Sequence, residues 1–163
     1  MNQHTIITND NDIYIYFKLI EQLQPASILD VGLFLQRIGA VSRQAMSCEI
    51  PPQVYLEGLD LFGENIFPVY HKIYDKITRL PDFSFTDHHI YDMAVYIHVN
   101  EWLHPDDRPV FWQYLITHAR VIISDTADSE FVNFVVTNCT AEAINVDGEQ
   151  YAIIYGNVPQ PEE

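Results

Sequence analysis

Ser27-Ile-Leu-Asp-Val-Gly-Leu-Phe-Leu-Gln-Arg-Ile-Gly39 opens on an apolar run that ends in Asp30 and Gly32. A run of this kind, with Pro25 before it and an acid and a glycine after it, reads as a buried parallel strand entering a turn. From Leu33 the pattern changes. Apolar residues at 34, 35, 38, 41, 45 and 46 recur at helical spacing, with Arg37, Arg43 and Gln44 on the other side. A strand over 26–32 followed by a crossover helix over 33–46 is the first half of a βαβ unit.

Upstream, Ile13, Phe17, Ile20 and Leu23 fall near helical spacing, and Asp10 or Asp12 is the expected cap of a helix that Pro25 stops. Downstream, Val54 to Leu61 reads as a second strand, and Phe67 to Leu80 as a second helix begun by Pro68. Phe83-Ser-Phe85 is the candidate third strand. Tyr91 to His98 is a fourth, with β-branched and aromatic residues at its centre. A helix over 102–115 restarting at Pro109, a strand over 120–125 and a helical connection over 128–136 continue the alternation. The end differs: 142–146 and 149–155 flank Asp147-Gly148, a strong hairpin signal, so these strands are expected to be antiparallel.

Strands and helices that alternate and close on a hairpin imply an α/β three-layer sandwich with a mostly parallel sheet. At 163 residues, 48% hydrophobic, the chain fits one domain over 1–163, with a helical segment over 1–25 and a frayed tail over 159–163. The formal charge of −15 comes from 23 acidic against 8 basic side chains. So little basic surface opposes nucleic-acid and anionic-membrane partners. Cys48 and Cys139 stand far apart with no C-x-x-C spacing, which suggests neither a zinc knuckle nor a disulfide framework. The first residues lack a leader pattern and no apolar run reaches membrane-span length, so a cytoplasmic location is expected.

The order of elements resembles the S-adenosylmethionine-dependent methyltransferase family, a Rossmann-like fold whose seven-stranded sheet ends in a hairpin. Ser27-Ile-Leu-Asp-Val-Gly32 resembles its first motif, acid-x-Gly-x-Gly-x-Gly, and Val54-Tyr-Leu-Glu-Gly-Leu-Asp60 its second strand. Tyr91 to Leu103 resembles the fourth strand and the loop after it, and Ala119 to Asp125 with the terminal hairpin resembles the closing strands. The resemblance implies S-adenosylmethionine as cofactor, held by Asp30, Gly32 and the ribose-binding Asp60, and a small-molecule or protein methyl acceptor. Phe34 and Gln36 stand where the family has its second and third glycines, and Gly39 comes later, inside the expected helix. Glycine there lets a backbone pass close to a nucleotide. Two readings therefore stay open: a methyltransferase, or a non-catalytic binding or assembly protein on the same scaffold.

Ligands of open parallel sheets bind beyond the carboxyl ends of the strands, where the strand order reverses. Asp30, Gly32, Asp60, His98, Asn100, Glu101 and Asp125 are all expected at that edge. His98 could take a proton, with Asn100 and Glu101 orienting an acceptor amine or hydroxyl. The alternative is that Asn100 caps the next helix and Glu101 favours its positive end. Asp30 could instead brace the turn, Asp60 could be a solvated strand-end acid, and Glu57 could replace it in another register. His88, His89, His98 and Glu101 are metal-ligand types, but their spacing matches no metal signature, and no metal is expected. Tyr14, Tyr16, Phe17, Tyr70 and Tyr74 are read as core or subunit-contact aromatics on helices, and a homo-oligomer is one expectation.

Overall fold

A computed structural model of the chain describes residues 10–34, 53–61, 73–79, 89–126 and 129–158. Its elements in order are α1 (Asp10–Leu23), β1 (Ser27–Val31), β2 (Tyr55–Asp60), β3 (Lys76–Arg79) and β4 (Tyr91–Tyr96). A 3₁₀ turn (Asn100–Trp102) follows, then α2 (Arg108–His118), β5 (Ala119–Asp125), α3 (Ser129–Asn138), β6 (Thr140–Val146) and β7 (Glu149–Tyr155).

The seven strands form one sheet in the order β3-β2-β1-β4-β5-β7-β6. β1 pairs in parallel with both β2 and β4, and only β7 runs against its neighbours. The order thus turns back between β1 and β4, and at such a point open α/β sheets take ligands in a crevice beyond the carboxyl ends of the strands. The expected α/β architecture is the one observed.

Alternation along the strands sorts the apolar side chains onto two faces. Ile28, Met93, Val95, Ile123, Tyr151 and Ile153 pack with Ile15, Tyr16, Leu19 and Ile20 of α1. Leu29, Ala94, Tyr96, Ile122 and Ile154 pack on the other face with Phe111, Trp112 and Leu115 of α2 and Phe131 and Val135 of α3. The central strands are covered on both sides, which is why they read as continuous apolar runs.

Asp147 and Gly148 both take positive φ, 49° and 91°. That is the requirement of a two-residue hairpin turn matched to strand twist. β6 and β7 accordingly pair without a bulge from Val146↔Glu149 to Thr140↔Tyr155.

Two expectations are corrected. Residues 76–79, assigned to a helix over 67–80, form β3, because Ile77 and Thr78 suit a pleated ladder and pair with Gly58 and Leu59 of β2. The apolar spacing before them masked this switch. Asp12 does not cap α1 but lies within its first turn, wholly buried. The candidate strand at 83–85, most of the helix over 33–46, Gln36, Gly39, Tyr70 and His88 lie outside the described residues.

Candidate functional site at the switch point

β1 delivers Asp30 and Gly32 to the carboxyl edge. Gly32 turns with φ 81° and Leu33 follows with φ 55°. The Gly32 N–H donates to the Leu59 carbonyl at 2.8 Å, so the turn is tied to β2. Asp30 is completely buried and both its oxygens are used inside the protein. Oδ1 accepts the Phe34 N–H at 2.7 Å and Oδ2 accepts the Tyr74 hydroxyl at 2.6 Å. The acid therefore braces the turn and anchors the residues entering β3.

Gly58 makes room for this arrangement. A Cβ there would stand 2.5 Å from Leu33 Cδ2 and 3.0 Å from Tyr74 Cδ1. Phe34 is also fully buried, its ring stacked on Tyr16 of α1 with centroids 4.8 Å apart. The ring is turned into the core.

Asp60 ends β2 opposite Arg79 of β3 and is 4% exposed, so it is not a solvated strand-end acid. Glu57 lies mid-strand, buried, and accepts the Tyr55 hydroxyl at 2.9 Å, which takes it away from the carboxyl edge.

His98, just past β4, holds the left-handed region with φ 57°, an unusual state for a residue with a Cβ. Asp125 at the end of β5 supports that turn by accepting the His98 N–H at 2.9 Å on Oδ1. The ring is held from two sides: Nδ1 is 3.2 Å from Asp125 Oδ2, and Nε2 is 3.2 Å from Asp12 Oδ2 of α1. Asp12 also accepts the Tyr151 hydroxyl of β7 at 2.5 Å, and the same hydroxyl lies 3.1 Å from Glu149. Asn11 then donates to Glu149 at 3.1 Å. One network thus joins α1, the exit of β4, the end of β5 and the start of β7.

The network sets the charge states. Hydrogen bonds to Asp12 and then Asp125 outweigh burial and push the His98 pKa up to about 10. Burial opposes ionisation of Asp125, but the bonds from the His98 ring and N–H win and hold its carboxyl below the ordinary value. Burial, followed by the bond to Asp12, raises the Tyr151 pKa and keeps the phenol protonated.

Asn100 and Glu101 part company. Asn100 is buried, and its Oδ1 accepts the Trp112 indole N–H at 2.7 Å and the Tyr96 hydroxyl. It caps no helix: α2 begins after Asp107, which makes no side-chain cap bond. Its role is to tie the loop after β4 to α2, helped by Arg108 Nε donating to the Asn100 carbonyl at 3.0 Å. Glu101 is exposed on the 3₁₀ turn.

The residues brought together around His98 were only partly expected. In the sequence Asp12 reads only as a helix cap and neither Tyr151 nor Glu149 is singled out, yet Asp12 carries a signal. It sits three, four and seven residues before Ile15, Tyr16 and Leu19, on the stripe that α1 buries. An acid on an apolar stripe requires a buried partner. Among the described residues no cluster of three or more His, Cys, Asp or Glu side chains has metal-binding geometry. No described helix is long and apolar enough to cross a membrane.

This architecture is shared with solved methyltransferases. A putative O-methyltransferase from Klebsiella pneumoniae aligns over 96% of this chain and 84% of its own, with a TM-score of 0.57 and 16% identity. The O-methyltransferase TomG from Streptomyces achromogenes, solved in complex with SAM, aligns over 93% and 82% with a TM-score of 0.62 and 14% identity. An O-methyltransferase from Bacillus cereus in complex with SAH aligns over 93% and 83%, at 0.60 and 11%. No family profile matches the sequence, and no curated protein matches it. The fold is therefore that of the S-adenosylmethionine-dependent methyltransferases, with a seven-stranded sheet and a switch point between β1 and β4.

Proposed function

We propose that the chain binds S-adenosylmethionine at the β1–β4 switch point and transfers its methyl group to a small-molecule or protein acceptor. The observation that carries this reading is the inward turn of Phe34. The one described residue that departs from the glycine pattern packs its ring on Tyr16 in the core, and the Gly32 turn stands just past the carboxyl end of β1. The backbone of the Gly32 turn would lie under the adenosine, and Asp60 would accept from the ribose hydroxyls. Asp30 would act from beneath, by holding the turn. When bound, the cofactor supplies an electrophilic methyl group on a sulfonium, and displacement at that carbon needs chiefly proximity and in-line orientation.

Around this position the chain's own residues order the crevice. His98 and Asp125 fix the loop leaving β4, and Asn100 fastens its far end to α2. Isothermal titration with S-adenosylmethionine tests the reading. Saturable heat that Asp60→Ala weakens by about tenfold or more, some 1.4 kcal/mol, supports it.

The second reading, a non-catalytic binding or assembly protein, is favoured by a separate observation. Asp30 is fully buried and each of its oxygens accepts a bond within the fold, so this acid faces the turn and Tyr74 and not solvent. A chain that forms a defined oligomer or complex yet gives no heat with the cofactor fits this second reading. The acidic surface favours small-molecule or protein partners over polyanions. A cytoplasmic setting fits either reading.

A further inference from the structure

Each ring nitrogen of His98 stands 3.2 Å from a carboxylate oxygen, Nε2 from Asp12 and Nδ1 from Asp125. An ionised carboxylate only accepts, so with both acids ionised each of these contacts requires a proton on the ring. A ring with two N–H groups is a cation and has no lone pair left for a third proton. We propose that His98 is a positioning residue and not a general base: a standing imidazolium that pins the loop leaving β4 between α1 and β5. It thereby fixes one wall of the switch-point crevice.

The surroundings are consistent with a fixed charge. The side chain is 28% exposed, while Asp12 is fully buried and Asp125 is 14% exposed. A buried Asp12 with its cation removed would be an uncompensated charge. From α1 the group facing the ring is Asp12, and from β5 it is Asp125. Behind Asp12, β7 contributes Tyr151, whose single hydroxyl proton serves Asp12 at 2.5 Å and leaves Glu149 at 3.1 Å to Asn11. Asp125 holds the main chain and the ring together, since Oδ1 takes the His98 N–H and Oδ2 faces Nδ1. The left-handed turn and the charge of the ring are therefore one unit. Strain of this kind persists where its surroundings over-determine it.

The charge and position of His98 do not depend on the cofactor. One consequence rests on the methyltransferase reading: an acceptor methylated at this edge does not give its proton to His98. Any proton that such an acceptor loses goes to another group or to water.

Nitrogen-15 NMR of the imidazole in the intact chain tests the charge, and the Trp112 indole N–H reports the position of the wall, because it donates to Asn100 two residues beyond His98. The expected result is that both ring nitrogens remain protonated through pH 8.5, and that Asp125→Asn lowers the titration by about one unit or more. His98→Gln shifts or broadens the Trp112 indole signal at unchanged helical circular dichroism, and His98→Arg, which keeps a cation, restores it in part. A ring that titrates near its ordinary value of about 6.5 overturns the proposal. So does an indole signal unmoved in His98→Gln. If His98→Gln does not fold, Asp125→Asn carries the same two readouts. Absence of cofactor binding in the natural chain would sink the methyltransferase reading and leave both NMR outcomes in force.

Discussion

At the scale of single residues, the buried network makes stability depend on pH in a definite direction. His98 has a folded-state pKa of about 10, raised from its ordinary value. Its contribution is therefore complete below about pH 6.5 and is lost as pH rises towards 10. Asp125 is shifted the other way, so its contribution is present above the ordinary aspartate value and is lost as pH falls through the lowered one. The melting temperature is expected to fall between pH 7 and 10, and His98→Gln is expected to flatten that slope. A slope unchanged in the variant would assign it to other groups. Tyr74→Phe probes the second buried acid. It strips one donor from Asp30, which is fully buried, and should cost about 1–3 kcal/mol in urea unfolding. A neutral outcome would show that Asp30 is not braced by Tyr74. Some of these roles could be read from the chain and others could not. Asp12 sits on the buried stripe of α1 and so announced a partner. That the partner is His98, 86 residues away, follows only from the packing of α1 across the ends of β4 and β5.

At the scale of elements, the hairpin is the most local feature and the most legible one. Asp147-Gly148 sets the turn type by itself, and the register of β6 with β7 follows from it. Gly148→Ala places a Cβ at φ 91° with no atom within 4 Å, so strain of the backbone alone should cost about 1–2 kcal/mol. Chemical denaturation measures this. A loss well beyond that range would mean that β6 detaches. β3 shows the opposite case. Lys76-Ile-Thr-Arg79 is short and follows residues of helical spacing, so its strand character comes from pairing with β2. Tertiary context decides such segments. Asn100 is a third case: its residue type suits a cap, but a buried indole and phenol claim its side chain first.

At the scale of the whole molecule, the alternating pattern specifies a parallel sheet covered on both faces, while the strand order that creates the crevice arises from long-range pairing. The fold therefore reads more directly from sequence than the site does. The structure also changes how the glycine-poor turn should be probed. Replacing Phe34 with glycine would remove a buried ring stacked on Tyr16, at a cost of about 3–5 kcal/mol, and would confuse loss of fold with gain of binding. The natural chain is the better reagent. Isothermal titration of the full chain with S-adenosylhomocysteine, with adenosine alone as the comparison, tests cofactor binding at the switch point. Saturable, one-to-one heat is expected for the nucleoside-thioether, weakened by Asp60→Ala. No heat from a folded natural chain at high protein concentration would contradict it.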